Sequence, residues 1–438
     1  MSNNWKKTIL GDLIDIKHGF AFPGKGITNI ENQNLLITPG NFEIGGGFRS
    51  SKNKYFSGEV DEKFLLSHGE IIVSMTDLSK QGDTLGYSAK IPTNSHYRYL
   101  HNQRIGKVIC LNNNFHPDFI YWLMRSKSYR HWILSSATGS TVKHTSPKVI
   151  KSFEFFLPPI DEQKAIAKIL GTLDEKIELN KKTNETLEGI SKALFKSWFI
   201  DFEPVRAKAE GRLTGLRDEI SNLFPNEFED SELGVIPKGW SCSSFGEFLT
   251  KKSEKILDRF ATVLSAVSSG ELVPSEKYFT KKVHSKNISN YIALHKYDIA
   301  YNPSRINIGS IGIHQNDYLG AVSPIYIVVT PRLDWHWFTL MSIKRNYFKQ
   351  NVQVLATGSV RQSLSINDFF SISVVTPPRS SPLISYFNKF YDLFLKRQKI
   401  LNEEKKYLQN ISRTILPKLI SGELKIPNAE KMIEKIEV

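Results

Sequence analysis

The feature that most constrains this chain is a repeat of its own sequence. Residues 137–159 read ATGSTVKHTSPKVIKSFEFFLPP, and residues 356–378 read ATGSVRQSLSINDFFSISVVTPP. The two segments align without a gap at an offset of 219 positions, sharing Ala-Thr-Gly-Ser near one end and Pro-Pro at the other. A repeat of this length indicates that one structural unit occurs twice in the chain.

The repeat extends upstream of this segment. A tryptophan opens each copy, at Trp5 and Trp240, and the strand-like patterns HGEIIVS (68–74) and KYDIAYN (296–302) correspond. Within each copy the apolar residues switch between strand and helix periods. The chain has 438 residues, which is enough for two such units and the segments between them. We therefore predict two mixed α+β modules.

A long helical pattern follows each Pro-Pro pair. Apolar residues recur at alternating spacings of four and three, the heptad spacing of a coiled-coil seam. The first seam comprises Ile166, Leu170, Leu173, Ile177, Asn180, Asn184, Leu187, Ser191, Leu194 and Trp198. The second comprises Phe387, Tyr391, Phe394, Gln398, Leu401, Lys405, Leu408, Ser412, Ile415 and Leu419. The simplest interpretation pairs the two helices within the chain, although each helix docking on a different protein is an alternative.

These patterns predict an α+β fold with an internal pseudo-two-fold repeat. In this prediction, two mixed α/β modules are separated by two long antiparallel coiled-coil helices. The predicted segments are a first module at residues 1–157, a long helix at 158–200, an acidic linker at 201–234, a second module at 235–378, a second long helix at 379–423 and a tail at 424–438.

The charge distribution favours a polyanionic partner. The chain carries a net charge of +14, of which residues 1–157 and 235–378 each contribute +7, whereas residues 200–234 are acidic at −5. Basic domains suit nucleic acid, but basic proteins without that role are common. Only two cysteines occur, which excludes a disulfide framework and favours a cytoplasmic location. We expect neither a signal peptide nor a membrane span.

No catalytic signature is present in the sequence. Residues 302–305 (NPSR) approach the Asn/Asp-Pro-Pro-aromatic loop of amino-methyltransferases but lack the second proline and the aromatic residue. Residues 162–164 (EQK) match half of a nuclease motif, yet they open a predicted helix, where acidic residues favour the helix dipole. The histidines have no metal-ligand spacing. We therefore expect a non-catalytic chain without a metal or cofactor site.

Polar and basic residues beside the predicted strands are candidate DNA contacts, because Arg, Lys, Gln and His reach base edges while hydroxyl groups bind phosphates. After the Ala-Thr-Gly turns these are Ser140, Thr141, Lys143 and His144, and Ser359, Arg361 and Gln362. At strand ends they are Ser74, Met75 and Thr76, and Asn302, Ser304 and Arg305. The first module adds Asn102, Gln103 and Arg104, and the second adds a phosphate-binding cluster of Lys281, Lys282, His284 and Lys286. An ordinary solvated turn is the competing interpretation of these segments.

The chain resembles the specificity subunits of type I restriction-modification systems over nearly its whole length. The resemblance is carried by LPPIDEQKAIAKILGTLDEKI (157–177), LFKSWFIDFEPVRAKAEG (194–211), FEDSELGVIPKGW (228–240) and LPKLISGELKI (416–426). One departure is the start of the second helix, where RSSP (379–382) replaces an acid-glutamine start such as that at 161–163.

The resemblance implies that each module binds one half of a split, asymmetric site in double-stranded DNA. It implies that the helix pair acts as a ruler and docks two modification subunits, which bind S-adenosylmethionine and methylate adenine. Restriction subunits would cut DNA with ATP and Mg²⁺, and none of these cofactors would bind this chain. The alternatives are a single-chain methyltransferase or nuclease, and a coiled-coil scaffold without a nucleic-acid role.

Overall fold

The computed structural model describes residues 4–92, 96–279, 285, 287–332, 334–357 and 362–434. Internal contacts divide the chain into two compact units. The first unit contains residues 1–181 and 402–438, and the second contains residues 182–401. Each unit is therefore built around one module, and the boundaries between the units fall within the long helices.

The first unit contains thirteen described strands, most of them short. They are β1 Lys6–Ile9, β2 Ile14–His18, β3 Ile27–Thr28, β4 Asn34–Leu36, β5 Lys54–Phe56, β6 Leu65–Leu66, β7 Ile71–Ser74, β8 Thr76–Asp77, β9 Ser88–Lys90, β10 Arg98–Leu100, β11 Ile105–Cys110, β12 Lys143–His144 and β13 Glu154–Leu157. They form sheets in the orders β2-β11-β7-β9 and β3-β5-β4-β10-β6, and two-stranded sheets β1-β13 and β12-β8.

The strands described in the second unit are β14 Phe228–Ser231, β15 Gly234–Pro237, β16 Ser241–Ser244, β17 Leu249–Lys252, β18 Thr262–Val267, β19 Glu271–Pro274, β20 Ile292–Leu294, β21 Ile299–Tyr301, β22 Ile311–Ile313, β23 Gly320–Val322, β24 Ile327–Pro331 and β25 Ser373–Thr376. They form sheets in the orders β17-β24-β21-β22 and β19-β18-β23-β20. Two-stranded sheets β16-β25 and β14-β15 complete the unit.

The two modules have the same strand topology. The sheet β2-β11-β7-β9 corresponds strand by strand to β17-β24-β21-β22, and every pairing in both is antiparallel. Four strands of the second sheets also correspond, β5-β4-β10-β6 with β19-β18-β23-β20, including one parallel pair in each, and β3 adds a fifth strand in the first module. The predicted internal repeat is thus a repeat of tertiary structure.

Short helices connect the sheets within each unit. In the first unit these are α1 Pro117–Leu123, α2 Lys127–Ser135 and α3 Pro147–Lys151, followed by the long helix α4 Ile160–Phe199. The second unit contains α5 Glu203–Ala209, α6 Asp218–Ser221, α7 Phe245–Phe248, α8 Ser275–Tyr278, α9 His336–Ile343, α10 Asn346–Leu355 and α11 Ile366–Ser371. The long helix α12 Leu383–Ile420 and the short helix α13 Ile426–Glu434 end the described chain.

The helices α4 and α12 pack together along the predicted seam. None of the twenty seam side chains is exposed, including those of the polar middle section. In the first unit the Lys176 ammonium lies 3.4 Å from the Glu404 carboxylate. In the second unit the Gln398 Nε2 donates to the Asn184 carbonyl oxygen at 3.2 Å. Residue numbers fall along one helix as they rise along the other, so the pair is antiparallel, as predicted.

The start of α12 explains the departure noted in the sequence. The helix begins at Leu383, because Ser381 N donates to the Pro378 carbonyl oxygen in a turn and the Ser381 hydroxyl accepts from Leu383 N at 3.3 Å. At the other end, Gly422 has a φ of +73°, the left-handed conformation with which glycine commonly ends a helix.

Two features are absent from the described part of the chain. No helix there combines the length and the apolar character that crossing a bilayer requires. Among the same residues, no group of three or more His, Cys, Asp or Glu side chains is placed to hold a metal ion. Glu162 and Gln163 have structural partners, since Glu162 accepts from the Trp5 indole at 2.9 Å and Gln163 bonds to His116 N at 2.8 Å.

Candidate nucleic-acid interface

Three candidate segments of the first module meet at one end of its antiparallel sheet. β7 ends at Ser74, which pairs with Ile105 at the start of β11. Beyond this point Met75 N donates to the Arg104 carbonyl oxygen at 3.0 Å, and Thr145 N donates to the Met75 carbonyl oxygen at 3.0 Å. We call residues 74–85, 102–104 and 138–145 the first tip.

The Ala-Thr-Gly turn of the first tip is a small hairpin. Thr138 and His144 exchange two backbone hydrogen bonds of 3.1 and 2.9 Å. Gly139 has a φ of +90°, and a Cβ placed there would lie 2.0 Å from the Val142 carbonyl oxygen. Only glycine fits this position. The glycine shared by the two repeats therefore builds the turn, and the residues after it are free to differ.

Several candidate side chains of the first tip face inward. The Ser74 hydroxyl donates to the Thr76 carbonyl oxygen at 3.0 Å, and Met75 is 3% exposed in the main core. Thr76 is also buried, with its hydroxyl 3.2 Å from His144 Nδ1. The buried Asn102 carboxamide accepts from Arg104 N at 3.0 Å. In this conformation these four side chains position the tip and do not reach solvent.

The remaining candidates of the first tip are available to a ligand. Gln103, Arg104, Ser140, Thr141 and His144 are exposed, and Lys143 is half-buried. This set combines donors that suit phosphate oxygens with side chains that can address base edges. The structure thus brings the candidates from three separate segments onto one surface of the first module.

The loop between β7 and β9 is a part of the tip that the sequence interpretation missed. Asp77 is 4% exposed, and its carboxylate accepts from Ser79 N and from the Thr84 hydroxyl, each at 2.6 Å. Burial opposes ionisation, but the hydrogen bonds from Thr84 and Ser79 prevail and lower the pKa of Asp77. The Arg130 guanidinium binds the Gly82 and Leu85 carbonyl oxygens. The only sequence signal was the loop's place between two repeated strands.

The second module builds a corresponding tip from residues 302–310, 323–325 and the described parts of 356–364. Asn302 N donates to the Ser310 carbonyl oxygen at 3.0 Å, and Leu364 N donates to the Pro303 carbonyl oxygen at 3.2 Å. The latter bond matches that between Thr145 and Met75. We call this surface the second tip.

The side chains of the second tip show the same division of roles. Asn302 is half-buried, and its side chain accepts from Ser304 N at 3.1 Å in a tight turn. Ser304, Arg305 and Gln362 are exposed. The predicted contacts that lie outside the described residues are Ser359, Arg361, Lys281, Lys282, His284 and Lys286.

The strand register corrects one correspondence between the two modules that the sequence alignment suggested. At the 219-residue offset, residues 102–104 match the apolar residues 321–323. The β7–β11 and β21–β24 registers instead pair Gly106 with Val73 and Ile327 with Tyr301, so the true counterpart of 102–104 is 323–325. This segment is part of the second tip, and it ends in Ile325, which is 63% exposed.

The sequence comparisons match this architecture. A family model described as "Type I restriction modification DNA specificity domain" matches residues 2–189. The MjaIX specificity subunit of Methanocaldococcus jannaschii is 26% identical over 70% of this chain and 69% of that protein. The HindI specificity subunit of Haemophilus influenzae is 25% identical, with coverage of 79% and 87%. The EcoBI specificity subunit of Escherichia coli is 22% identical, with coverage of 96% and 86%. Residues 2–189 thus match the family of type I specificity domains, and over most of its length the chain is similar to type I restriction-modification specificity subunits.

A solved structure supports the fold of this specificity subunit. The crystal structure of the type I S subunit from M. genitalium matches with a TM-score of 0.56 and 18% identity, covering 96% of this chain and 97% of that one. As a specificity subunit, the chain is the non-catalytic component of a type I restriction enzyme and recognises the DNA target within that complex.

Proposed function

We propose that this specificity subunit recognises a bipartite, asymmetric sequence in double-stranded DNA, with one module reading each half. The observation that carries the proposal is the pair of tips. Both are built on the same strand topology and the same type of hydrogen-bonded turn, yet they expose different side chains, such as Arg104 and His144 in one and Arg305 and Gln362 in the other. Two tips with the same backbone structure but different exposed polar side chains suit two modules that bind different base sequences.

The exposed residues of the tips are the proposed base and phosphate contacts. Gln103, Arg104, Lys143, His144, Arg305 and Gln362 can address base edges, and Ser140, Thr141 and Ser304 suit phosphates. Arg361 and Ser359, and the basic cluster of Lys281, Lys282, His284 and Lys286, remain predicted contacts from the sequence. Ser74, Met75, Thr76 and Asn102 contribute by holding the first tip in place.

The long helices are the proposed docking surface for two modification subunits. Their seam residues are occupied by the pairing of α4 with α12, which leaves the opposite faces open to partners. Restriction subunits complete the proposed complex. S-adenosylmethionine, ATP and Mg²⁺ belong to those partner subunits in this proposal, and the two free cysteines agree with a cytoplasmic location.

Exchange of one module tests the proposal. Residues 1–157 are replaced by the first module of another specificity subunit, and the chimera is expressed with its modification subunits. Genome-wide methylation should then change in one half of the recognised sequence while the other half and the spacing persist. A chimera that changes both halves would contradict independent reading. Methyl transfer or DNA cleavage by the purified chain alone would contradict a non-catalytic role.

A further inference from the structure

Each tip carries a large aliphatic side chain in solvent, in the same loop of the repeated topology. Leu78, in the loop between β7 and β9, is 67% exposed. Ile308, in the corresponding loop between β21 and β22, is 61% exposed. The two loops differ in length, so the residues do not align position by position. Each loop also holds a buried aliphatic side chain, Leu85 in the first and Ile306 in the second, so the exposure is particular to Leu78 and Ile308.

Leu78 lies in a loop that is held by several hydrogen bonds. Asp77, the residue just before Leu78, is buried, and its carboxylate accepts a hydrogen bond from the backbone N–H of Ser79, the residue just after Leu78. The Ser79 hydroxyl in turn accepts from Asp83 N at 2.7 Å. Arg130 holds the far end of the loop through two carbonyl oxygens. Because both neighbours are held, the backbone at Leu78 is fixed in a conformation that leaves its side chain in solvent.

The loop that carries Ile308 is held in a different way. Gly309 has a φ of +89°, and a Cβ there would lie 2.7 Å from the Ser268 carbonyl oxygen. The next residue, Ser310, donates its hydroxyl to the Ala266 carbonyl oxygen at 3.0 Å and its N–H to the Arg305 carbonyl oxygen at 3.1 Å. The backbone after Ile308 is thus fixed, and its side chain remains outside.

The neighbours of these side chains identify the kind of surface that would cover them. Leu78 is followed by the exposed Lys80 and Gln81, and Ile308 is preceded by the exposed Arg305 and Asn307. A single apolar group among cationic and amide groups matches the major groove of DNA. There the thymine C5-methyl group is an apolar feature among hydrogen-bonding base edges and beside the phosphates.

We propose that Leu78 and Ile308 are specificity-determining residues that contact the C5-methyl group of a thymine, one in each half of the DNA site. This inference rests on the proposed function and adds an apolar component to base reading. Ile325 agrees with it, because the second tip has this exposed isoleucine where the first tip has Arg104. Apolar contact therefore contributes more to the second half-site than to the first.

The first test uses Leu78→Ala in the full chain assembled with its modification subunits. The matched control is Leu111→Ala, since Leu111 is 55% exposed but follows the opposite end of β11 from Ile105. Leu78→Ala should relax base preference at one position of the first half-site, and the control should leave preference unchanged. An unchanged preference for Leu78→Ala, or equal weakening on all sequences, overturns the inference. Absence of any sequence preference in the wild-type assembly would instead contradict the proposed function.

The second test changes the DNA. Each thymine of the half-site, on either strand, is replaced in turn by deoxyuridine, which lacks only the methyl group. Wild-type affinity should fall about fourfold at one position, the effect of roughly one buried methyl group. Leu78→Ala should bind the thymine and uracil sites equally. If no thymine replacement affects wild-type binding, or if the variant keeps the same sensitivity, the methyl contact is wrong. Ile308→Ala is tested in the same way on the second half-site.

Discussion

The two modules have one topology and two different cores. The core of the second unit is rich in aromatic side chains, including Trp198, Phe199, Phe224, Trp240, Phe245, Trp337, Phe338, Phe369 and Phe387. The corresponding core of the first unit relies more on aliphatic side chains, including Leu10, Ile14, Ile71, Leu85, Ile120, Leu123, Ile133, Ile150, Ile166 and Leu170. The same sheet order therefore follows from the positions of apolar residues and not from their identities, since cores tolerate substitution when pattern and volume persist.

The modules also differ in how they attach to the long helix in their own unit. In the first unit the nearly buried Arg125 guanidinium donates to the Asp174 carboxylate of α4 at 2.7 Å. In the second unit the Trp337 indole donates to the Asp392 carboxylate of α12 at 2.7 Å. Asp174 is the fifteenth residue of α4, and Asp392 is the tenth residue of α12. A carboxylate in the first half of a long helix thus anchors each module, in one case to a charged donor and in the other to a neutral donor.

The largest difference in stability between the two modules is expected at the tryptophans that open each repeat. Trp240 is 4% exposed and lies among aromatic rings, with ring centroids 5.6 Å from Phe202 and 6.1 Å from Phe199. Trp240→Ala should lower the free energy of unfolding by about 3–5 kcal/mol. Trp5 is half-buried at the edge of the first core and its indole donates to Glu162, so Trp5→Ala should cost about 1–2 kcal/mol. Urea unfolding followed by circular dichroism measures both, and equal losses would contradict the difference in packing.

Much of the fold could be predicted because the repeat reports the same pattern twice. The strand-like patterns at 68–74 and 296–302 are confirmed, since they contain β7 Ile71–Ser74 and β21 Ile299–Tyr301. The heptad seams are confirmed along both long helices. The sheet order could not be predicted, because strands of two to six residues pair across long sequence separations that no local pattern records.

The tips were only partly predictable. The Ala-Thr-Gly turn was recognised because glycine is required there by sterics that do not depend on the rest of the fold. Burial of Thr76 and Asn102 could not be foreseen, since it depends on the hairpin and on the backbone of Arg104, which come from distant segments. Asp77 was missed because a single acidic residue in a loop resembles any solvated one.

A smaller effect should distinguish how the two tips are held. The first tip depends on the buried Asp77 carboxylate, whereas the second uses backbone hydrogen bonds around Asn302. Asp77→Asn should lower the free energy of unfolding by about 1.5–3 kcal/mol at neutral pH, because charge-assisted hydrogen bonds weaken. Ser304→Ala, at the exposed turn of the second tip, should cost less than about 0.5 kcal/mol.

The effect of Asp77→Asn should depend on pH in one direction. Because the pKa of Asp77 is lowered in the folded state, its ionised form adds stability that is complete above the ordinary value of about 3.9. That stability is lost as pH falls through the lowered folded value. The difference between wild type and variant should therefore stay constant from pH 8 to about pH 5 and shrink in more acidic solution. A difference that grows on acidification would contradict the assigned hydrogen bonds.

Glycine substitutions in the two tips should change base preference in one half-site at a time. Gly139→Ala places a Cβ against the Val142 carbonyl oxygen, and Gly309→Ala places one against that of Ser268. Each should cost at least about 1–2 kcal/mol in folding free energy, the penalty for alanine at a positive φ, because the Cβ also meets a backbone oxygen. Gly139→Ala should reduce base preference in the first half-site only, and Gly309→Ala in the second only. The control Gly171→Ala, within α4 and without neighbours inside 4 Å, should stabilise by about 0.5–1 kcal/mol.

The smallest expected effect concerns the polar section between the aliphatic and aromatic ends of the helix pair. Asn180 is 2% exposed, and its Nδ2 has no hydrogen-bond acceptor within the part of the chain that the structure describes. Asn180→Leu removes this buried donor and extends the apolar seam, so it should raise the free energy of unfolding by about 1 kcal/mol. Gln398→Leu is the matched variant, because the Gln398 side chain donates to the Asn184 carbonyl oxygen. Loss of this hydrogen bond should offset the stability gained from the new apolar side chain. Destabilisation by Asn180→Leu, measured by urea unfolding, would mean that the asparagine contributes net stability. Stabilisation would indicate that the polar residue serves to fix the register of the two helices.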